Sequence, residues 1–221
     1  MALSRGFKAV QNRRSGDLTT SGNKIISISN QTLATASVAG GPIRDGRAEE
    51  RPLSFRRPVV EDGPAITALI ARCPPLDVNS AYCNLVQCTH FAETCVVAER
   101  DGVILGWISG HRPPGTEDQL FVWQVAVDAS ARGLGLGGRM LDALFDRAAG
   151  WGARVMTTTI TADNAASWAL FTAFARRRGL SLSKAPLFER EAHFAGAHDT
   201  EWQATIGPPD LNQQQSAKEF R

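Results

Sequence analysis

At 221 residues and 23.8 kDa, with 43% hydrophobic and 21% charged residues, the chain has ordinary globular composition, which excludes a wholly disordered or fibrous protein and fits one sizeable domain with an extension. The formal net charge of +2 conceals an asymmetry. Arg5, Lys8, Arg13, Arg14, Lys24, Arg44 and Arg47 face only Asp17 and Asp45 before position 49, which leaves 17 of the 24 basic and 20 of the 22 acidic residues beyond it. The main body therefore has no basic footprint for nucleic acid, and the longest uncharged stretch, Ile25 to Ile43, is too interrupted by Ser, Asn, Gln and Thr to cross a bilayer.

Residues 1–48 are rich in Ser, Thr, Gly, Asn and Ala, with Phe7 as their single aromatic, and show no sustained period. They read as a disordered extension, or as the product of a start codon placed too early, although an Arg- and Ser-rich, acid-poor leader also matches a transit peptide superficially. Regular patterning starts at Leu53. A strand is predicted over Leu53 to Val59, then a helix opened by Asp62-Gly63-Pro64 that carries Ile66, Leu69 and Ile70 and stops before Pro74-Pro75. Tyr82, Leu85, Val86 and Thr89 share helical spacing within Val78 to His90, where Asp77 is a candidate N-cap. Thr94 to Glu99 and Val103 to Ser109, joined through Asp101-Gly102, form a predicted hairpin. A Pro-rich loop, Arg112 to Asp118, leads to the apolar strand Leu120 to Val127.

Beyond that strand come a glycine loop and a helix with Met140, Leu141, Leu144, Phe145 and Ala148 along one face, ended by Gly150 and Gly152. A strand over Arg154 to Thr161, a helix capped by Asp163 or Asn164 and running to about Arg178, a strand over Leu182 to Phe188, a polar loop from Glu189 to Asp199 and a last strand over Glu201 to Ile206 complete an α/β (α+β) domain spanning 49–206. Residues 207–221 read as a flexible tail. Cys73, Cys83, Cys88 and Cys95 contain no C-x-x-C pair and are placed as small core residues, so neither disulfides nor zinc is expected.

The most specific feature is the run Arg132-Gly-Leu-Gly-Leu-Gly-Gly138 between a strand and a helix. Glycines leave no Cβ to obstruct a ligand, and N–H groups opening a helix lack intrahelical partners, so such a loop is an anion site suited to a pyrophosphate. A plain turn needs perhaps one glycine rather than four. Gly133-x-Gly135-x-x-Gly138 also matches the dinucleotide fingerprint, but that motif belongs in a first βα turn with an acid about 20 residues on, and here the next strand ends in threonines.

The pattern Val125-Ala-Val-Asp-x-x-x-Arg132-x-x-Gly135-x-Gly137, followed by Asn164-x-x-Ser-x-x-Leu170-Phe171, resembles the signature of the GNAT N-acetyltransferases. The resemblance covers about 53–206 and implies a mixed, mostly antiparallel sheet flanked by helices and splayed at the acetyl-CoA strand. It implies that backbone N–H groups of Arg132, Gly133, Leu134, Gly135, Leu136, Gly137 and Gly138 bind the pyrophosphate of acetyl-CoA. It also implies that Val125, Ala126 and Val127 pair with pantetheine and that Asn164 contacts the cofactor arm. Five further blocks, among them Pro74-Pro-Leu-Asp-Val-Asn-Ser80-x-Tyr82, Ser109-Gly-His-Arg-Pro-Pro114 and Phe121-Val-Trp-Gln-Val-Ala-Val127, are similar to the diaminobutyrate acetyltransferases of ectoine biosynthesis. That likeness implies a cytoplasmic, homodimeric enzyme of the osmotic stress response that acetylates the γ-amine of L-2,4-diaminobutyrate without a metal. Other readings are a GNAT enzyme for a different small amine or a protein lysine, and a non-catalytic acyl-CoA sensor.

An aliphatic amine with a pKa near ~10.4 is mostly protonated at neutral pH, so freeing it costs ~4 to 5 kcal/mol before attack, and acids near the acceptor serve both to attract a diamine and to take its proton. Asp77, Tyr82, Trp123 and Gln124 are the candidate substrate contacts. Tyr82, Glu191 and His193 are the candidates for proton transfer. Tyr82 is the single tyrosine in the chain. Many GNAT enzymes place a tyrosine where this chain has Phe171, which puts the family's usual general acid in doubt. Each candidate has a structural alternative: Tyr82 as half-buried packing, Trp123 as core, and the Glu189–Asp199 run as a solvated loop. Arg112 is the nearest cation for the substrate carboxylate, His90 and His111 are weaker candidates, and Cys83 or Cys95 would be the acetyl-carrying residue in a covalent route.

Overall fold

The computed structural model describes residues 52–209; the 1–48 extension and nearly all of the 207–221 tail lie outside the described residues. The chain enters with β1 (Ser54–Arg56), a 3-10 turn over Val60–Asp62, α1 (Gly63–Ala71) and α2 (Ala81–Thr89). The hairpin β2 (Val96–Arg100) and β3 (Val103–His111) leads to β4 (Gln119–Val127). Then follow α3 (Leu136–Ala149), β5 (Val155–Thr161), α4 (Ala165–Arg178), β6 (Ser181–Phe188), the short α5 (Arg190–Phe194) and β7 (Glu201–Gly207). The seven strands form one sheet in the order β1-β2-β3-β4-β5-β7-β6. Neighbours are antiparallel except β4 and β5, whose parallel pairing requires the α3 crossover between them.

Helices cover both faces because the strands carry apolar residues in both directions. On one face the stripe Met140, Leu141 and Leu144 of α3, with Phe174 of α4, packs on Ile108, Leu120, Met156 and Ile206, all fully buried. On the other, Ile66, Leu69 and Ile70 of α1 pack with Cys88 of α2 against Val97, Trp107 and Ala126. Each such side chain contributes about 1.5–3 kcal/mol through burial. All four cysteines are free thiols; Cys73, Cys88 and Cys95 are buried and Cys83 is partly exposed.

Three predicted elements end elsewhere, each for a local reason. The first strand stops at Arg56 because the Asp62 carboxylate accepts from the Val59 N–H (2.8 Å) and from both Arg56 terminal nitrogens (2.7 and 2.9 Å), which bends the chain into the 3-10 turn. The second helix begins at Ala81 rather than Val78, because Ser80, with extended backbone, caps it by accepting from the Cys83 N–H at 3.1 Å. The Glu189–Asp199 run is not all loop: Arg190–Phe194 makes a little over one helical turn, too short to show a helical stripe in sequence.

Burial pushes the Asp62 carboxyl upward, but the Arg56 hydrogen bond, the Val59 N–H and the Arg56 charge outweigh it and hold the group below its ordinary value of 3.8. A depressed folded value contributes stability that is present above the unfolded pKa and lost as pH falls through the folded one. Asp62→Asn is therefore expected to lower stability by about 1–2 kcal/mol at pH 7, after discounting for the partly exposed Arg56. The difference from wild type should shrink below about pH 4 in denaturant titrations run at several pH values. An equal deficit at every pH would show that the ion pair does not carry this link.

Candidate active site

β4 is paired with β3 through Val127, but with β5 only over Gln119 to Phe121 against Val155 to Thr157. From Val122 and Thr158 onward the two parallel strands separate, which leaves a wedge with an unpaired β4 edge at Val125 to Val127. The register against β3 shows why. His111 faces Phe121 and Gly110 faces Val122, but Ser109 faces Gln124, so Trp123 is an extra, unpaired residue in β4. Such a bulge bends a strand and increases its twist. It also exchanges faces: Leu120 and Val122 point into the α3/α4 core, whereas after the bulge Val125 and Val127 do so and Ala126 turns to the α1/α2 side. Trp123 projects outward and is 52% exposed, so it is not the core residue that a strand tryptophan most often is.

At the mouth of the wedge, Asp128 ends β4 by accepting from the Ser130 N–H (3.0 Å) across a 3-10 turn, and the glycine loop follows. Gly133 (φ +77°) and Gly135 (φ +66°) adopt left-handed backbone that a side chain resists, and a Cβ at either would meet nothing within 4 Å. Gly135 is the N-cap of α3 with no side-chain cap, and the first intrahelical bond is Arg139 N–H to Gly135 C=O at 3.1 Å. The N–H groups ahead of Arg139 thus face open space beside the wedge at the positive end of the helix dipole, a cradle that suits a diphosphate. Gly137 packs against Leu170, and Gly138 admits Arg177, whose guanidinium reaches the Gly138 C=O (3.4 Å) and Asp142 (3.0 Å). Arg178 joins Asp142 and Asp146. These contacts fix α3 against α4 and so hold the cradle rigid.

Across the wedge, Asn164 caps α4 by accepting from the Ser167 N–H at 3.0 Å through Oδ1. Its Nδ2 has no partner among the described residues, so capping and a cofactor contact are compatible. Phe171 is 3% exposed and belongs to the α3/α4 core. A hydroxyl there would be buried without a partner, so Phe171→Tyr is expected to cost about 1–3 kcal/mol of stability and to give no gain in kcat; a faster enzyme of unchanged melting temperature would reverse that reading.

On the acceptor side, the segment between Leu76 and Ser80 lies against β4. Gln124, 7% exposed, donates from Nε2 to the Asp77 C=O at 2.8 Å and accepts at Oε1 from Asn79 Nδ2 at 3.0 Å. Asp77 does not cap α2, and no hydrogen bond or ion pair holds its exposed carboxylate among the described residues. Tyr82 is 76% exposed on α2 rather than half-buried packing. The fold therefore brings Asp77, Asn79, Trp123 and Gln124 together beside the unpaired edge of β4. Asn79 is a site residue that sequence reading passed over. Its only sign was its place inside the 74–80 block.

The remaining candidates are placed apart. Glu191 and His193 sit on exposed α5, where His193 Nδ1 accepts from the Glu189 N–H (2.8 Å) and Glu191 pairs with Arg190. No contact joins them to Gln124 or Trp123 among the described residues. Arg112 donates to the carbonyls of Thr116 and Glu117 and lies over the Trp151 ring (4.9 Å), so it braces its own loop rather than awaiting a carboxylate. His111, with its pKa lowered by burial, stacks between Phe91 and Phe121. His90 is the exposed C-cap of α2. Burial pushes the Cys95 thiol up to about 12, the opposite of what a nucleophile needs, and the covalent route through it is set aside.

A wedge opened by a strand bulge and closed by a bare, glycine-lined helix N-terminus defines a coenzyme A-dependent N-acyltransferase. Residues 64–175 match the Acetyltransferase (GNAT) family. The chain is 48% identical over 148 residues to the L-2,4-diaminobutyric acid acetyltransferase of Vibrio parahaemolyticus, covering 67% of this chain and 82% of that protein. It is 44% identical over 156 residues to the protein of the same name from Methylotuvimicrobium alcaliphilum, covering 71% and 91%. The structure of diaminobutyrate acetyltransferase EctA from Paenibacillus lautus, in complex with its substrate L-2,4-diaminobutyric acid and coenzyme A, superposes with a TM-score of 0.67 at 36% identity, covering 71% of this chain and 95% of that one. The chain belongs to the GNAT acetyltransferases and, within them, to the family of these diaminobutyrate enzymes.

Proposed function

We propose that the protein transfers acetyl from acetyl-CoA to the γ-amine (N4) of L-2,4-diaminobutyrate, giving N4-acetyl-L-2,4-diaminobutyrate for ectoine biosynthesis. The observation that carries this reading is the match, over most of both chains, to the Paenibacillus lautus enzyme whose structure holds that acid and coenzyme A, joined to a wedge and cradle that fit a thioester and a diphosphate. N–H groups from Arg132 to Gly138 bind the pyrophosphate, and Asn164 Nδ2 contacts the cofactor arm. Val125, Ala126 and Val127 align pantetheine along the unpaired strand edge and steady the carbonyl oxygen as negative charge develops on it. Acetyl-CoA supplies the activated acyl group, and direct attack by the neutral amine needs neither a metal nor an acyl-enzyme.

On the acceptor side, Asp77 meets an ammonium group of the dication and the exposed ring of Trp123 walls the pocket, offering its face to the same charge. The amine passes its proton to a carboxylate or water, with Glu191 and His193 of the α5 segment as the candidate acceptors. Tyr82 is the available hydroxyl for the leaving thiolate, since Phe171 has none. A cytoplasmic homodimer acting in the osmotic stress response completes the proposal on family resemblance, and sedimentation of the purified protein reads the dimer.

The test is thiol release from acetyl-CoA with a panel of amines, with NMR of the product methylenes to locate the acetyl group. Diaminobutyrate should be preferred and modified at N4. Equal turnover of lysine or putrescine would point to a general amine acetyltransferase, and tight acetyl-CoA binding without thiol release from any amine would make the protein a sensor.

A further inference from the structure

Resting on that reading, the geometry of β4 points to a role for Gln124 different from substrate contact: we propose that Gln124 and Asn79 form a clamp that positions Asp77, and through it sets the enzyme's preference for an acceptor with a second ammonium group. Both functional ends of the Gln124 amide are engaged, Nε2 by the Asp77 C=O (2.8 Å) and Oε1 by Asn79 Nδ2 (3.0 Å). A side chain that is 7% exposed, with one bond at each end of its amide, has little left to offer a ligand.

The segment it holds has few other anchors. Leu76 packs into the α1/α2 core and donates its N–H to the Cys73 C=O at 3.0 Å, and Ser80 is fixed as the cap of α2. Between them, Asp77 and Asn79 are tied down through Gln124, while the Asp77 carboxylate stays free for a cation. The residue that supplies the clamp directly follows the bulge at Trp123. It is the bulge that turns Gln124 to the α1/α2 side; in an unbroken ladder that position would face α3 and α4. One irregularity therefore opens the wedge, presents the Trp123 ring and aims the clamp.

The floor below the amide is also polar. Ser109 is the cross-strand partner of Gln124, on the same face and about 5 Å away at Cβ by sheet geometry. It is fully buried, and its hydroxyl lacks a partner among the described residues. An apolar replacement of Gln124 thus leaves the Asp77 carbonyl and Asn79 amide unpaired above a polar patch. Asp77 then loses its fixed place, although the cofactor cradle on the other side of the strand is untouched.

The experiment compares wild type, Gln124→Met, Asn79→Ala and the double variant, with diaminobutyrate and with 4-aminobutyrate, which lacks the second amine. Gln124→Met should raise the KM for diaminobutyrate roughly tenfold and Asn79→Ala roughly threefold to tenfold, with the KM for acetyl-CoA within about twofold of wild type. Preference for diaminobutyrate over 4-aminobutyrate should fall by the same factors, and the double variant should be no worse than Gln124→Met alone, since both changes open one clamp. If Gln124 touches the substrate directly, Asn79→Ala will leave KM and preference at wild-type values, and the clamp is wrong. A parallel rise in the KM for acetyl-CoA would likewise overturn it, because that marks general disruption. Should Gln124→Met fail to fold, Asn79→Ala, in a surface segment, decides the matter alone. Failure of the proposed function is separate: the wild type itself would not acetylate diaminobutyrate.

Discussion

Gly135→Val is expected to raise the KM for acetyl-CoA by ~100-fold or more while the protein still folds. The residue has φ +66° at the start of α3, and a Cβ there meets no protein atom within 4 Å, so the new side chain enters the space assigned to the diphosphate. Holding a β-branched residue in left-handed backbone costs about 1–2 kcal/mol. Loss of even one charge-assisted N–H contact removes about 1.5–3 kcal/mol more, and each 1.4 kcal/mol is a factor of ten in affinity. Gly102→Ala is the matched control. Gly102 also has positive φ (+77°) and open surroundings, but it lies in the β2–β3 turn. Its replacement should cost stability through strain and leave acetyl-CoA binding as it was. Calorimetric titration with coenzyme A reads the difference directly. If the two variants lose equal affinity, the loop is a turn and the cradle lies elsewhere.

The second large effect belongs to Asp77. Asp77→Asn keeps the backbone carbonyl that Gln124 holds and removes only the charge, so the segment should stay in place and the melting temperature should hardly move. A charged hydrogen bond to an ammonium contributes about 1.5–3 kcal/mol, so kcat/KM for diaminobutyrate should fall ~10- to 100-fold with acetyl-CoA binding preserved. Because the carboxylate is exposed, its pull on a dication is screened by salt. The KM for diaminobutyrate should therefore rise with ionic strength in wild type and respond much less in the variant. A variant with wild-type kcat/KM would remove Asp77 from the site.

Much of the fold could be read from sequence because its signals are local. The stripe of Met140, Leu141 and Leu144 and the glycine run required only helical periodicity and backbone geometry, and every long element lies close to its predicted place. The bulge at Trp123 could not be read in that way. Leu120, Val122, Gln124 and Ala126 alternate without a break, and only the register against β3 reveals that the alternation changes face partway. The start of α2 misled for a related reason: Asp77 and Ser80 are both good caps, and the choice between them is made by Gln124, which is 47 residues from Asp77. Asp77, Trp123 and Gln124 were found as candidates through family resemblance, but Gln124 received its role from the geometry. Glu191 and His193 remain candidates on chemistry and resemblance, on an element whose printed contacts do not reach β4.

The extra residue in β4 also bears on how this enzyme can change over evolution. Removing a single codon at position 123 would restore an ordinary ladder and turn Gln124 through Val127 inside out, exchanging Val125 and Val127 with Ala126 between the two sides of the sheet. Point substitutions in the strand are local events, whereas length changes there invert four positions at once. New acceptor preferences are therefore more accessible by altering the surface segment from Leu76 to Ser80, where insertions do not propagate into the sheet.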